Sequence, residues 1–207
     1  MEQKLTCRSC GCRYASVGTA FFCPACGHNS AISMLKHSLA HFRQTVAGLT
    51  ALRDALAASH GADMAADTER RLVENALEDL VTTFQRFAEA RSGTLSEGPK
   101  PRMNLFQTVE EASTYWRTVS GRGYEDVLEA AELADFKRYV SQRHVLAHRD
   151  GIVDERYIAS SGDNSYEVGQ RLVVRGSDVT RLADLVEKLA NWLHTGSPET
   201  REEVGNS

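Results

Sequence analysis

The sequence predicts a mainly α fold, and three observations predict it: apolar residues recurring at three- and four-residue steps from position 32 onward, capping and stop signals that divide those stripes, and two Cys-x2-Cys pairs confined to the first thirty positions. The expected organisation is a zinc ribbon over residues 1–30, an all-helical bundle with a minor β element over 31–195, and a flexible tail over 196–207.

The ribbon rests on Cys7, Cys10, Cys23 and Cys26, with twelve residues between the two pairs. Two such loops, each presenting two thiolates, fill the four tetrahedral positions of one structural Zn²⁺ and leave none open for catalysis. Gly11 and Gly27 each follow the second cysteine of a pair, where a tight turn toward sulfur calls for φ > 0. A segment this short buries too little apolar surface to fold unaided, so metal binding and folding should be one event. Tyr14, Phe21 and Phe22 are expected to pack beside the metal on short flanking strands, while Cys12 or His28 could replace a neighbouring ligand. The alternative to a metal site, two disulfides, needs an oxidising compartment.

Ile32, Leu35, Leu39, Phe42, Val46, Leu49, Leu52 and Leu56 form one long stripe on a first helix, capped by Asn29 or Ser30 and ended at His60-Gly61. Leu72, Val73, Ala76, Leu77, Leu80, Val81, Phe84 and Phe87 mark the inner side of a second. A short break between two such stripes predicts an antiparallel hairpin whose apolar residues pack as core. Residues 91–103, with serine, glycine and two prolines, read as a loop. Thr108-Val109-Glu110-Glu111 has the form of a capping box and opens a third helix that ends near Ser120-Gly121. A fourth runs from Ala130 to His148, stopped by Gly151. Residues 160–165 read as a surface loop and 166–174 as short extended segments, the minor β element. The last helix opens at Ser177 and carries Val179, Leu182, Val186, Leu189 and Leu193.

A net charge of −4 argues against wholesale coating of nucleic acid without excluding a local basic cleft. With no signal segment, no apolar run of membrane-spanning length and four of five cysteines in metal spacing, the expected compartment is the cytoplasm, with no membrane partner.

The chemistry-bearing segment is Arg143-His144-Val145-Leu146-Ala147-His148-Arg149-Asp150-Gly151. The apolar stripe of this helix reads as Leu133, Phe136, Val140 and Ala147, which puts Arg143 and His144 on its flanks at about 100° per residue. His144 and His148, four apart, share a face. Polar groups where an apolar stripe should continue cost desolvation unless they are paired or line a cleft. These residue types suit RNA cleavage through the 2′-hydroxyl. Histidine can take and return protons near neutrality, and arginine's planar fork steadies charge on phosphate oxygens. No catalytic metal is needed, in keeping with the lack of an acidic cluster for magnesium. The competing structural reading makes Arg143 a salt-bridge partner, His144 a satisfied core histidine and His148 a complement to the negative helix end.

Arg143, four residues, then His148, with polar His144 following the arginine, resembles the Arg-x4-6-His motif of the HEPN superfamily. Residues 151–158 and Asn104-Leu105-Phe106-Gln107 resemble one bacterial branch of it, and the resemblance covers roughly 32–195. It implies a small α-helical domain of a kind found among RNases of toxin–antitoxin, antiphage and RNA-processing systems. It implies a homodimer in which two motif helices meet and form one composite cleft. Arg143 would hold the scissile phosphate, His148 would be the main acid–base group and His144 would assist. Two readings follow: a metal-independent endoribonuclease, and a non-catalytic dimer that binds RNA, nucleotide or protein. Lys137, Arg138, Arg143 and Arg149 face only Asp135 and Asp150, so the surroundings are basic. In the ribbon, Lys4, Arg8 and Arg13 are offset by a Zn(Cys)₄ charge of about −2, which leaves RNA docking and protein docking both open.

Overall fold

The structure, a computed structural model, describes residues 2–7, 9–17, 23–27, 30–95 and 98–195. Phe21, Phe22, His28, Asn29, Arg8 and the tail expected from 196 onward lie outside the described residues. The elements in order are β1 (Glu2–Thr6), β2 (Arg13–Val17), α1 (Ala31–His60), α2 (Ala62–Ser92), α3 (Val109–Ser120), α4 (Ala130–Arg149), α5 (Glu155–Ser161) and α6 (Gly176–Thr195), with single 3-10 turns at Leu105–Gln107 and Tyr124–Asp126. The fold is mainly α, as the stripes predict. Among the described residues the strands are one antiparallel hairpin, in which Leu5 faces Tyr14 and Thr6 faces Arg13.

Ser30 begins α1, its hydroxyl accepting the Ser33 N–H at 3.3 Å. One residue, Gly61, separates α1 from α2, so the two helices fold back as the expected hairpin. α6 lies against both, and α4 packs on α2 and α6. The shared core is built from Leu35, Leu39 and Phe42 of α1, Leu77, Leu80 and Phe84 of α2, and Val179, Leu182, Val186 and Leu189 of α6. Phe84 meets Phe136 of α4 edge-on at 5.6 Å, and Tyr124 meets the same ring at 5.9 Å.

The α1 stripe is not core along its whole length. Leu52 is 42% exposed, because α6 begins beside Val46 and Leu49 and, among the described residues, no third helix covers the hairpin beyond them. The capping box at α3 is not formed either. Thr108 makes no capping hydrogen bond, and Glu111 pairs with Arg102 instead.

α4 ends at Arg149, with Asp150 in the left-handed region at φ 52° and the Gly151 N–H closing on the Val145 carbonyl at 3.2 Å. Its buried stripe is Phe136, Tyr139, Gln142 and Val145, while Ala147 is exposed. The shift arises because the last turns of α4 meet a second small core, in which Val145 packs with Val153, Tyr157 and Leu172. α5, where a loop was expected from residue 160, is capped by Asp154, whose carboxylate accepts the Tyr157 N–H at 2.8 Å. The extended segments expected over 166–174 reduce to one bridge, Ile152 with Arg171, supported by Val153 N–H to Gln170 and Leu172 N–H to Gly151, both 2.8 Å.

Candidate metal centre and candidate active site

The two knuckles have the same local geometry. Gly11 donates to the Cys7 carbonyl and Gly27 to the Cys23 carbonyl, both at 2.9 Å, and the glycines take φ of 72° and 71°. A residue with a Cβ would be strained there. The turns bring the Cys7, Cys10, Cys23 and Cys26 sulfurs within 4.8 Å of one another. Cys7 Sγ lies 3.7 Å from Cys26 Sγ, and Cys10 Sγ lies 3.6 Å from Cys23 Sγ. Four thiolates around a tetrahedral ion at about 2.3 Å would sit roughly 3.8 Å apart, so the donor set fits one metal. All five cysteines are free thiols, which removes the disulfide alternative. Desolvation opposes ionisation of Cys23, yet backbone N–H groups of Cys26 and Ala25 and the neighbouring thiols hold it down at about 6. Cys12 stays out of the set, its sulfur directed at the Arg13 carbonyl. Tyr14 is half-buried on β2, within electrostatic reach of the Cys23 and Cys7 sulfurs.

The second constellation lies on the last turns of α4. His148 is exposed and His144 half-buried, and their rings meet at 4.8 Å with planes 60° apart. Neither ring makes a hydrogen bond among the described residues. Arg143 is half-buried, and its Nε is buried with no hydrogen-bond partner. The competing reading of Arg143 as a salt-bridge partner finds no such pair among the described residues. His144 is likewise not a satisfied core histidine. Desolvation, then the positive Arg156, His148 and Arg143, push its ring below the ordinary histidine range and favour the neutral imidazole.

A carboxyl within electrostatic reach of this group, which sequence reading passed over, is Glu78 of α2. Desolvation raises its pKa, and the positive fields of Arg143 and His148 act against that rise. A signal was present: Glu74 and Glu78 stand four apart on the flank of the α2 stripe, beside Leu77 and Val81. Glu74 is only 8% exposed and holds Arg171 at 2.7 and 3.0 Å and Arg70 at 3.0 Å. Arg171 also donates to the Asp150 carbonyl, which ties the end of α4 to α2. Arg171→Met leaves Glu74 with one partner in a buried setting, and we expect it to cost about 2 kcal/mol in urea unfolding.

Beside His144 opens a cavity of about 130 Å³ between the start of α3, the middle of α4 and α5. Arg138 pairs with Asp135 and Arg149 with Asp154, so the basic balance expected around the motif is carried by Arg143 itself and by Arg156, which sequence reading placed only within the family-like stretch. No helix among the described residues is long and apolar enough to cross a membrane. No family model, curated protein or solved structure matches the chain.

Proposed function

We propose that the protein is a HEPN-like, metal-independent endoribonuclease that works as a homodimer, with a zinc ribbon as its recognition module. One observation carries this reading. A guanidinium with an orphaned buried nitrogen stands beside two histidines that have no hydrogen-bond partner among the described residues, one half-buried and one open to solvent. An unsatisfied buried donor costs roughly 1–3 kcal/mol, and a group kept at that cost suits a ligand that completes it. A phosphodiester supplies the missing counter-charge through the guanidinium's other nitrogens, which are not among the buried orphans. Arg143 holds the scissile phosphate, and His148, open to solvent, takes the 2′-hydroxyl proton or returns one to the 5′-oxygen. His144, favoured in its neutral form, orients or accepts.

The exposed end of α4 is the face a second copy would cover. Exposed Ile152 and Val173, at 40% and 56%, lie on the chain that follows and add apolar surface for it. The four-thiolate set points to Zn²⁺, which tetrahedral sulfur sites favour and which needs no redox partner. Exposed Lys4 and Arg13 on the hairpin supply a small basic surface for RNA or for a protein partner. Four cysteines in metal spacing suit a reducing compartment, which supports a cytoplasmic location.

The test is incubation of purified protein with total RNA in EDTA, kept short so that the structural ion stays bound and run beside a chelator-free control. Wild type is expected to cleave and the Arg143→Ala/His148→Ala variant to leave RNA intact. If both leave it intact across pH and concentration, the non-catalytic binding module is the correct account.

A further inference from the structure

We propose that the cavity beside His144 binds a second phosphate of the RNA strand, adjacent to the one that is cleaved. This deepens the nuclease reading and rests on it. The cavity is lined by Lys137, His144 and Arg156, by the hydroxyls of Ser141 and Ser160, and by a single carboxylate, Glu110. Three groups that carry or can acquire positive charge thus face one acid. The two serine hydroxyls approach to 3.2 Å and present donors at the same wall.

Arg156 is exposed and makes neither an ion pair nor a hydrogen bond among the described residues, so its five donors are available to an incoming oxyanion. Its charge reaches His144, where it is the largest charged influence on the ring. Lys137 is engaged, but its partner is informative. Glu110 lies 2.8 Å from the ammonium and places an oxyanion where a phosphate oxygen would sit. The pair is solvent-facing, with side-chain exposures of 35% and 60%, so it holds weakly and can be displaced.

The relation to the catalytic group follows from His144. Its ring forms a wall of the cavity and also contacts His148 at 4.8 Å. A strand with its scissile phosphate at Arg143 and His148 therefore meets the cavity as its next charged group. The cationic groups and serine hydroxyls of its walls suit a phosphate rather than an apolar base.

The experiment uses the full-length protein and a labelled 2′-O-methyl RNA 12-mer, which cannot be cleaved by 2′-oxygen attack, in fluorescence anisotropy across a salt series. Arg156→Ala is expected to weaken binding about tenfold and to lower the slope of log affinity against log salt by about one. Glu110→Gln, which releases Lys137, is expected to tighten binding several-fold, a gain that a merely structural carboxylate would not give. Unchanged affinity and slope in Arg156→Ala overturn the proposal. If wild type cleaves RNA and Arg156→Ala keeps its KM and affinity, the cavity assignment falls alone and the nuclease reading stands. If wild type cleaves nothing while the two substitutions move affinity in opposite directions, the phosphate subsite stands and the nuclease reading falls.

Discussion

Serine in place of Cys23 is expected to abolish binding of one equivalent of metal and to unfold the N-terminal hairpin while the helical bundle stays folded. Two paired five-residue strands are marginal in water on their own. Among the described residues, those buried in this region are Cys7 and Cys23, so an ion held by the sulfurs would take the place of a core. Structural zinc in short peptides contributes about 10–16 kcal/mol, far more than such a hairpin can gain from packing. Backbone donors favour the Cys23 thiolate, and serine supplies no equivalent anion. Among the described residues the helical core contains none from before Ala31, so its stability should not follow the metal. Metal content by mass spectrometry and hydrogen exchange over residues 2–27 check this. Lost protection there, with the helical signal nearly unchanged, is the expected result. Cys12→Ser should keep the ion. A hairpin that stays protected in Cys23→Ser would contradict the assignment.

The second large effect is on RNA cleavage. His148→Ala is expected to lower the rate at saturating RNA about a thousandfold, as loss of a principal acid–base group does. Arg143→Ala should cost on the order of a hundred- to a thousandfold through lost phosphate stabilisation. The pair changed together should cost little more than the larger single loss, because the two act on one transition state. His144→Ala is expected to cost about tenfold. Stability should move differently. His148 is exposed, so its removal leaves the thermal midpoint unchanged. Arg143→Met removes an orphaned buried nitrogen and should hold or raise that midpoint while activity is lost. An arginine kept for structure would show the reverse.

How far the sequence foretold the molecule depended on how local each signal was. α1, α2, α3 and α6 fall within a few residues of their stripes and caps, and Ser30 resolves the choice of cap. The cysteine set was legible because its chemistry lies in spacing and in two glycines. α5 was not, since seven residues complete too few turns to show periodicity, and its cap, Asp154, stood inside a stretch read for its family likeness. The buried face of α4 was misjudged because Val145 is covered by Val153 and Leu172, partners that no local pattern reveals. The same holds for Arg171 and Glu74, which are 97 residues apart and meet only in the fold. Leu52 fits its helix and lacks a neighbour to cover it.

The central claim is that this face of α4 cleaves RNA through the strand's own 2′-hydroxyl. The most direct test places an RNA oligonucleotide and its 2′-O-methyl counterpart with wild-type protein in EDTA and maps the product ends. The account predicts 5′-hydroxyl and 2′,3′-cyclic phosphate ends from RNA and an untouched 2′-O-methyl strand. Cleavage of the methylated strand, 5′-phosphate ends, or equal cleavage by the His148→Ala protein would contradict it.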